Sequence, residues 1–443
     1  MLAVVVAVVA AIVLLGGQRA SNAQTVPAPQ AVVANPVVIP VADSASMPTA
    51  AGLSTALAPT LADPNLGNLT GRVTDAISGA QLWRQGDGVP MQPASTNKVL
   101  TTSAALLTLD RDARVTTKVV AADQATQPGV VVLVGGGDPT LSAAPSGQDT
   151  WYKGAGRISD LADQVRRSSV KPRAVQVDTS LFSGPKMAPG WDPGDIDGGD
   201  IAPIESVMLD GGRVQPTTVD SKRSRTPALD AGRALAVALG LDPAAVTTTP
   251  GPPAGPELAS IQSAPLIERL RQMMGDSDNV MAECIAREVA AHTHRPLSFA
   301  GAVDAVTTQL AAADVDMTGA KLLDSSGLSV DDRLTATTLE GVVGEAAGPD
   351  QPALRPLLDL LPVAGGSGTL SDRFLGPGTN RAAAGWLRAK TGSLTGTNAL
   401  AGVVTDKSGR VLAFSFISNN AGPTGRTAID ALAATLRSCG CST

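Results

Sequence analysis

Pro93-Ala94-Ser95-Thr96-Asn97-Lys98-Val99-Leu100 carries the strongest structural signal in this chain of 443 residues. A serine stands three residues before a lysine, and an apolar helical pattern continues to Leu109. The pattern predicts a helix over 95–109 that begins at Ser95, with the Ser95 hydroxyl and the Lys98 amine on one face, about one turn apart. The two side chains are a candidate nucleophile and its base. Because a lone S-x-x-K occurs in many unrelated chains, this interpretation requires further motifs of a catalytic site later in the chain.

Two such motifs are present, in order. Ser277-Asp278-Asn279 lies in a predicted turn just before a helix, and Lys390-Thr391-Gly392 lies at the end of a predicted strand. Each motif alone is a modest signal. Together, in this order and in these contexts, S-x-x-K, S-D-N and K-T-G are typical of penicillin-binding proteins and serine β-lactamases.

The chemistry of acyl transfer explains these residue types, because it requires an activated hydroxyl. Ser95 is the predicted nucleophile, and Lys98 is its general base if the pKa of its amine is lowered. Partial burial and a second cation, Lys390, would both lower that pKa. On the opposite wall, Ser277 is predicted to relay protons and the Asn279 amide to hold a substrate carbonyl.

The third motif supplies the predicted substrate-binding wall. Lys390 and the hydroxyls of Thr391 and Ser393 are expected to hold a substrate carboxylate, and Gly392 is expected to let the substrate backbone lie close to the strand edge. The backbone N–H groups of Ser95 and Ser393 are the predicted oxyanion hole.

The patterns elsewhere predict an α+β fold. Strands are predicted at 66–74, 81–83, 385–391, 398–405 and 410–418, and a closing helix at 424–437. Residues 411–417 are almost continuously apolar, which suits a central strand covered on both faces. Helices at both ends of the body, with an antiparallel sheet between them, favour an α+β sandwich.

Four segments narrow the prediction to one family: Pro-Ala-Ser95-Thr-Asn-Lys98, Gly-Gly-Asp138-Pro-Thr-Leu141, Asp324-Ser-Ser-Gly-Leu-Ser329 and Gly366-Ser-Gly-Thr-Leu370. With them, about residues 52–438 resemble the D-alanyl-D-alanine carboxypeptidase/endopeptidase family, the low-molecular-mass class C penicillin-binding proteins of peptidase family S13. The resemblance implies a transpeptidase-like domain built from both ends of the chain, with a large insertion after the Ser95 helix. It also implies peptidoglycan stem peptides as substrates and covalent binding of β-lactams.

The predicted organisation has four parts. Residues 1–23 are a signal peptide or membrane anchor, because 2–17 are almost wholly apolar and a small-x-small cleavage pattern ends at Ala23. Residues 24–51 are a Pro/Ala-rich linker. A transpeptidase-like catalytic domain covers 52–109 and 257–443, and residues 110–256 form an inserted β-rich domain. Export to the periplasm or cell envelope is expected with either a signal peptide or an anchor.

Composition excludes several other classes of protein. The net charge is −6 with no basic block, so nucleic acid is not an expected partner. The chain has only His292 and His294, which do not share a helical face and are predicted to be surface residues at a helix end. Histidine-based catalysis is therefore not expected, and neither a metal nor a cofactor is predicted.

Three cysteines allow one disulfide, which is predicted to join Cys284 to Cys439 or Cys441; three free thiols are the alternative. Gly135-Gly-Gly-Asp-Pro139 lacks the P-loop residues and is not expected to bind phosphate. The serines of 324–329 have no lysine or histidine at a workable spacing, so this segment is predicted to be a glycine-centred turn.

The function predicted from these residues is that of an exported serine DD-peptidase. It would remove the terminal D-Ala of a stem peptide, or cleave a D-Ala cross-link, through a Ser95 acyl-enzyme. Two alternatives remain open. One is a serine β-lactamase, although no Glu-x-x-x-Asn loop stands at the expected spacing after Lys98. The other is a non-catalytic penicillin-binding or wall-binding protein of the same fold.

Overall fold

The computed structural model of the protein describes residues 44–249 and 251–441. The predicted signal peptide or anchor, and the linker as far as residue 43, lie outside the described residues. The folded body begins with a helix at Ala50, capped by the Thr49 hydroxyl, two residues before the predicted start. Within the described ranges, no helix has both the length and the hydropathy needed to cross a membrane.

The α-helices and strands of the described residues are numbered in chain order. The helices are α1 Ala50–Leu61, α2 Lys98–Thr108, α3 Ile158–Arg167, α4 Gly194–Gly198, α5 Pro227–Leu239, α6 Leu266–Asp276, α7 Asn279–His292, α8 Phe299–Ala312, α9 Ala336–Ala347, α10 Leu357–Leu360 and α11 Gly425–Ser438. The strands are β1 Asn68–Asp75, β2 Gln81–Gln85, β3 Thr116–Ala121, β4 Val130–Val134, β5 Asp138–Leu141, β6 Ala174–Asp178, β7 Val207–Leu209, β8 Thr247–Thr249, β9 Glu257–Gln262, β10 Leu387–Leu394, β11 Thr397–Thr405 and β12 Val411–Asn419.

A five-stranded antiparallel sheet joins the two ends of the body, in the order β10-β11-β12-β1-β2. β1 pairs with β12 from Asn68↔Asn419 to Asp75↔Leu412. Strands from the two ends of the body therefore form one sheet. Because β12 lies in the middle of the sheet, its apolar residues are buried on both faces.

The alternation along β12 shows how the two faces are covered. Leu412, Phe414 and Phe416 pack into a core with α1 and α11, while Ala413 and Ile417 face a second core with α2, α7, α8 and α9. Successive side chains of a strand point to opposite faces, so one apolar run serves both layers. Few aromatic residues are needed, because the second core is built almost entirely from Ala, Val, Leu, Ile and Met.

The inserted segment forms a separate five-stranded sheet, in the order β8-β6-β4-β3-β9. β4, β6 and β8 are parallel, and α3 and α5 pack against this sheet, so the segment contains helices besides the predicted strands. The boundary predicted at residue 256 falls too early. β9, at 257–262, pairs with β3 and forms one edge of the inserted sheet, so the segment that builds this sheet extends to residue 262.

The predicted disulfide is wrong. Cys439 is bonded to Cys441, and Cys284 is a buried free thiol. Cys284 lies on the apolar stripe of α7 and packs among Trp191 and Phe299, whereas Cys439 lies in the core formed with α1 and α11. The two cysteines belong to different packing layers and cannot meet.

Candidate active site

The nucleophile candidate is held in a tight turn at the start of α2. Residues Ala94–Asn97 form a turn of 3-10 helix, and Ala94 has a left-handed φ of +48°. A side-chain carbon at Gly327 would lie 2.0 Å from the Ala94 carbonyl oxygen, and one at Gly392 would lie 2.6 Å from the Pro93 carbonyl oxygen. Only glycine allows such approaches. Gly392 therefore makes room for the backbone that precedes Ser95, a role within the protein that the sequence did not indicate.

The Lys98 amine is fully buried and makes three hydrogen bonds. Nζ donates to Ser95 Oγ at 2.9 Å, to Asn279 Oδ1 at 2.6 Å and to the Ser326 carbonyl at 2.8 Å. The predicted contact between Ser95 and Lys98 is present, and Lys98 also contacts Asn279 of the second motif. The amine is thus held at a fixed point beneath Ser95.

Burial lowers the pKa of Lys98 to about 8, against the opposing effect of the carboxylates of Asp324, Asp278 and Glu283. Removing an ammonium group from water disfavours its charged form. The direction agrees with the prediction, and the main cause is complete burial. The pKa of Lys390 is also held well below its usual value, because the side chain is buried and the Lys98 charge lies close to it.

The second and third motifs meet through Lys390 and Ser277. Lys390 Nζ donates to Ser277 Oγ at 2.8 Å and to the Thr391 carbonyl at 2.9 Å. Ser277 joins α6 to α7 in the left-handed conformation, with φ +58°. A non-glycine residue in this region is uncommon, and such strain is concentrated at functional sites. The turn places the Ser277 hydroxyl against β10, the edge strand of the sheet.

The three motifs open into one cleft of about 600 Å³. Ser95, Ser277, Asn279, Thr391 and Ser393 line it. With the buried Lys98 and Lys390 beneath, and Gly392 behind the nucleophile, all eight predicted site residues converge on this cleft.

Several residues of the site were not predicted from the sequence. Segment 324–329 is the expected turn, and Asp324 accepts the backbone N–H groups of Ser326, Gly327 and Ser329. The Ser326 carbonyl of this turn accepts a hydrogen bond from Lys98. The turn therefore belongs to the site, a role that was not predicted for it from the sequence. Thr369, from another of the resembling segments, accepts a hydrogen bond from the Thr391 hydroxyl at 2.8 Å. Both histidines are exposed where α7 ends, as predicted.

Comparison with known proteins identifies the family of this chain. The sequence matches the D-Ala-D-Ala carboxypeptidase 3 (S13) family over residues 53–223 and 218–438. The chain belongs to this family. It is 70% identical over 442 residues to the carboxypeptidase DacB of Mycolicibacterium smegmatis, covering 99% of this chain and 96% of that protein. It is also 30% identical over 452 residues to a D-alanyl-D-alanine carboxypeptidase of Actinomadura, covering 85% and 82%.

The same fold is also found among solved structures. The crystal structure of penicillin binding protein 4 from Haemophilus influenzae superposes with a TM-score of 0.70 at 23% identity, covering 88% of this chain and 98% of that one. A second structure of the same protein, in complex with a β-lactam, has a TM-score of 0.60 at 22% identity and covers 87% and 98%. The α+β penicillin-binding-protein fold predicted from the sequence is confirmed.

Proposed function

We propose that this S13 member removes the terminal D-Ala from peptidoglycan stem peptides through an acyl-enzyme on Ser95. The observation that carries the proposal is the 2.9 Å hydrogen bond from the buried Lys98 amine to the Ser95 hydroxyl, where Ser95 lines a cleft that Thr391 and Ser393 also line. The D-Ala-D-Ala carboxypeptidase activity is that of the family.

Acylation begins when neutral Lys98 accepts the Ser95 proton and Oγ attacks the carbonyl of the penultimate D-Ala. The backbone N–H groups of Ser95 and Ser393 hold the oxyanion. The carbon–nitrogen bond then breaks as Ser277 gives its hydroxyl proton to the leaving amine of D-Ala and takes up in return the proton that Lys98 accepted from Ser95, so that Lys98 is neutral again. In deacylation neutral Lys98 accepts a proton from water, the water oxygen attacks the ester carbonyl, and Lys98 returns the proton to Ser95 Oγ as the ester bond breaks. In a β-lactam the leaving nitrogen stays attached, so the whole molecule remains on the enzyme.

Substrate binding itself favours the reactive state of the base. A carboxylate held by Thr391 and Ser393 brings a negative charge close to Lys390 and favours its ammonium form. A charged Lys390 in turn disfavours a charged Lys98. Asn279 donates one amide N–H to the Asp200 carbonyl at 3.0 Å, and its second N–H is left to bind a substrate carbonyl.

The β-lactamase alternative has less support. Class A β-lactamases use a glutamate to activate the deacylating water. Among the described residues, those lining this cleft include aspartates but no glutamate. The non-catalytic alternative is disfavoured because all three motifs are intact and in contact.

Incubation with a pentapeptide and with a cross-linked muropeptide, followed by mass analysis of the products, tests the proposal. We expect loss of one D-Ala from the pentapeptide; cleavage of the cross-linked substrate would add DD-endopeptidase activity. A benzylpenicillin adduct should persist for many turnover times. Rapid release of hydrolysed penicillin would favour a β-lactamase, and normal labelling without D-Ala release would favour a non-catalytic protein.

The rate of acylation should rise with pH. Because the pKa of Lys98 is lowered to about 8, the fraction of neutral base increases as the pH passes upward through that value. The second-order rate constant for labelling by a fluorescent penicillin reports on the free enzyme, so its acid limb should have a midpoint near that pKa. Measurement between about pH 6 and 9 checks this. A flat profile, or a rate that falls over this interval, would contradict Lys98 as the base.

We also propose that residues 2–17 direct the protein to the cell envelope, as a cleaved signal or as a membrane anchor. The first case predicts a mature protein that starts near Gln24. N-terminal sequencing of the protein isolated from its host distinguishes the two.

A further inference from the structure

The two protein acceptors that hold Lys98, apart from Ser95, are each next to a buried carboxylate. The Ser326 carbonyl belongs to the turn organised by Asp324, and Asn279 directly follows Asp278. Asp324 is fully buried and Asp278 is 5% exposed. Neither carboxylate has a role in the acyl-transfer steps given above.

Asp324 is bound by a donor from the inserted segment. Its Oδ1 accepts the N–H groups of Ser326 and Gly327, at 3.0 and 2.6 Å, and its Oδ2 accepts that of Ser329 at 2.7 Å. Oδ2 also accepts a hydrogen bond from Trp191 Nε1 at 2.7 Å. Trp191 thereby connects the inserted segment to the turn that presents the Ser326 carbonyl to Lys98.

Asp278 is bound in the same way. Its Oδ1 accepts the Met281 N–H at 2.9 Å and caps α7, and its Oδ2 accepts a hydrogen bond from the Tyr152 hydroxyl at 2.6 Å. Arg213 donates to the Tyr152 hydroxyl at 3.1 Å and lies 3.7 Å from Asp278. Tyr152 is the only tyrosine of the chain, is fully buried, and also belongs to the inserted segment.

We propose that Trp191 and Tyr152 are positioning residues for acylation, through which the inserted segment fixes the two acceptors, Asn279 and the Ser326 carbonyl, that hold the Lys98 amine besides Ser95. The proposal rests on the proposed function, because it assigns a purpose to fixing that amine. The inserted segment would then contribute to catalysis indirectly, because neither of these two side chains contacts the substrate.

The electrostatic surroundings of Lys98 provide a specific readout. The titratable groups facing it are Asp278 and Glu283 at the start of α7, Asp324 in the turn, and Lys390 on β10. Burial raises the pKa of Glu283 to about 7, so its charge changes near that pH. Behind them, Arg213 and Arg223 face Asp278, and Arg287 faces Glu283. Asp332 adjoins Asp324, and burial beside that charge raises the pKa of Asp332 to about 10, so it is neutral at pH 7.

The donors of Trp191 and Tyr152 direct positive ends of dipoles at the two carboxylates. If either donor is removed, the negative charge of its carboxylate acts more strongly on Lys98, and this raises the pKa of the Lys98 amine. The acid limb of acylation should then move to higher pH. A purely structural contribution to folding would not produce this shift.

Trp191→Phe and Tyr152→Phe each remove one donor and keep an aromatic ring. Each variant should label with fluorescent penicillin about ten-fold more slowly at pH 7, and its acid limb should shift upward by about half a pH unit. Trp83→Phe is the matched control, since Trp83 is similarly buried but packs on Phe416 in the core formed with α1 and α11. The control should keep the wild-type rate and profile.

Wild-type labelling rates and unshifted pH profiles in both variants would overturn the inference. It would also be overturned if labelling slowed only in proportion to a fall in melting temperature, with no change in the pH profile. If one variant does not fold, the other decides. Failure of the proposed function is a separate result, because it would appear in the wild-type protein as labelling at a residue other than Ser95.

Discussion

Replacing Ser95 by alanine is expected to abolish covalent penicillin binding and to lower D-Ala release by about four orders of magnitude or more. The Ser95 hydroxyl is the group hydrogen-bonded to the Lys98 amine where the cleft opens, and alanine offers no atom that can form the ester. The fold should be retained, because Ser95 is only partly buried and loses a single hydrogen bond to Lys98. Gel labelling with fluorescent penicillin and D-Ala release from a pentapeptide measure the two losses.

Ser103→Ala is the matched control for that experiment. Ser103 lies on α2, the helix that directly follows the Ser95 turn, is fully buried, and its hydroxyl has no hydrogen-bond partner in the structure. The same chemical change at Ser103 should leave both activities intact. Stable labelling of the Ser95→Ala variant at the wild-type rate would show that another residue is acylated.

Replacing Lys98 by methionine is expected to slow acylation by about 10³-fold and to remove the acid limb of its pH profile. Methionine has nearly the length of lysine and suits a fully buried position, but it has no amine to accept the Ser95 proton. Residual labelling should persist, because the oxyanion hole and the carboxylate-binding wall remain. Labelling rates between about pH 6 and 9 separate the loss of the base from a loss of binding.

Lys118→Met is the corresponding control. Lys118 forms an exposed ion pair with Glu257 in the inserted sheet, and such pairs contribute little to stability. Its labelling should match the wild type across the pH range. If Lys98→Met retained the wild-type rate and the same acid limb, the proton of Ser95 would have to go to another group, and the assignment of Lys98 would be wrong.

The sequence predicted the features that depend on local pattern and on recognisable motifs. The S-x-x-K helix, the apolar run of β12 and the turn around Gly327 can each be inferred from a few adjacent residues. The convergence of Ser95, Ser277 and Lys390 was inferred from the order of three motifs, since no local property brings them together.

Long-range contacts account for the features that were not predicted. The bonds from Trp191 to Asp324 and from Tyr152 to Asp278 span 133 and 126 residues, and neither aromatic residue stands in a motif. The same limit explains why the disulfide predicted for Cys284 and the domain boundary predicted before β9 were wrong. A buried thiol on an apolar stripe looks the same whether or not a partner is near, and the pairing of β9 with β3 depends on a strand more than a hundred residues earlier in the chain.

Mapping the adduct by mass spectrometry tests the central claim most directly. The wild-type protein is incubated with benzylpenicillin, digested, and each peptide is compared with that of the untreated protein. The account predicts that the peptide containing Ser95 gains the full mass of the penicillin and that fragmentation places the mass on the Ser95 side chain. An adduct on Ser277, Ser326 or any other residue, with Ser95 unmodified, would contradict it.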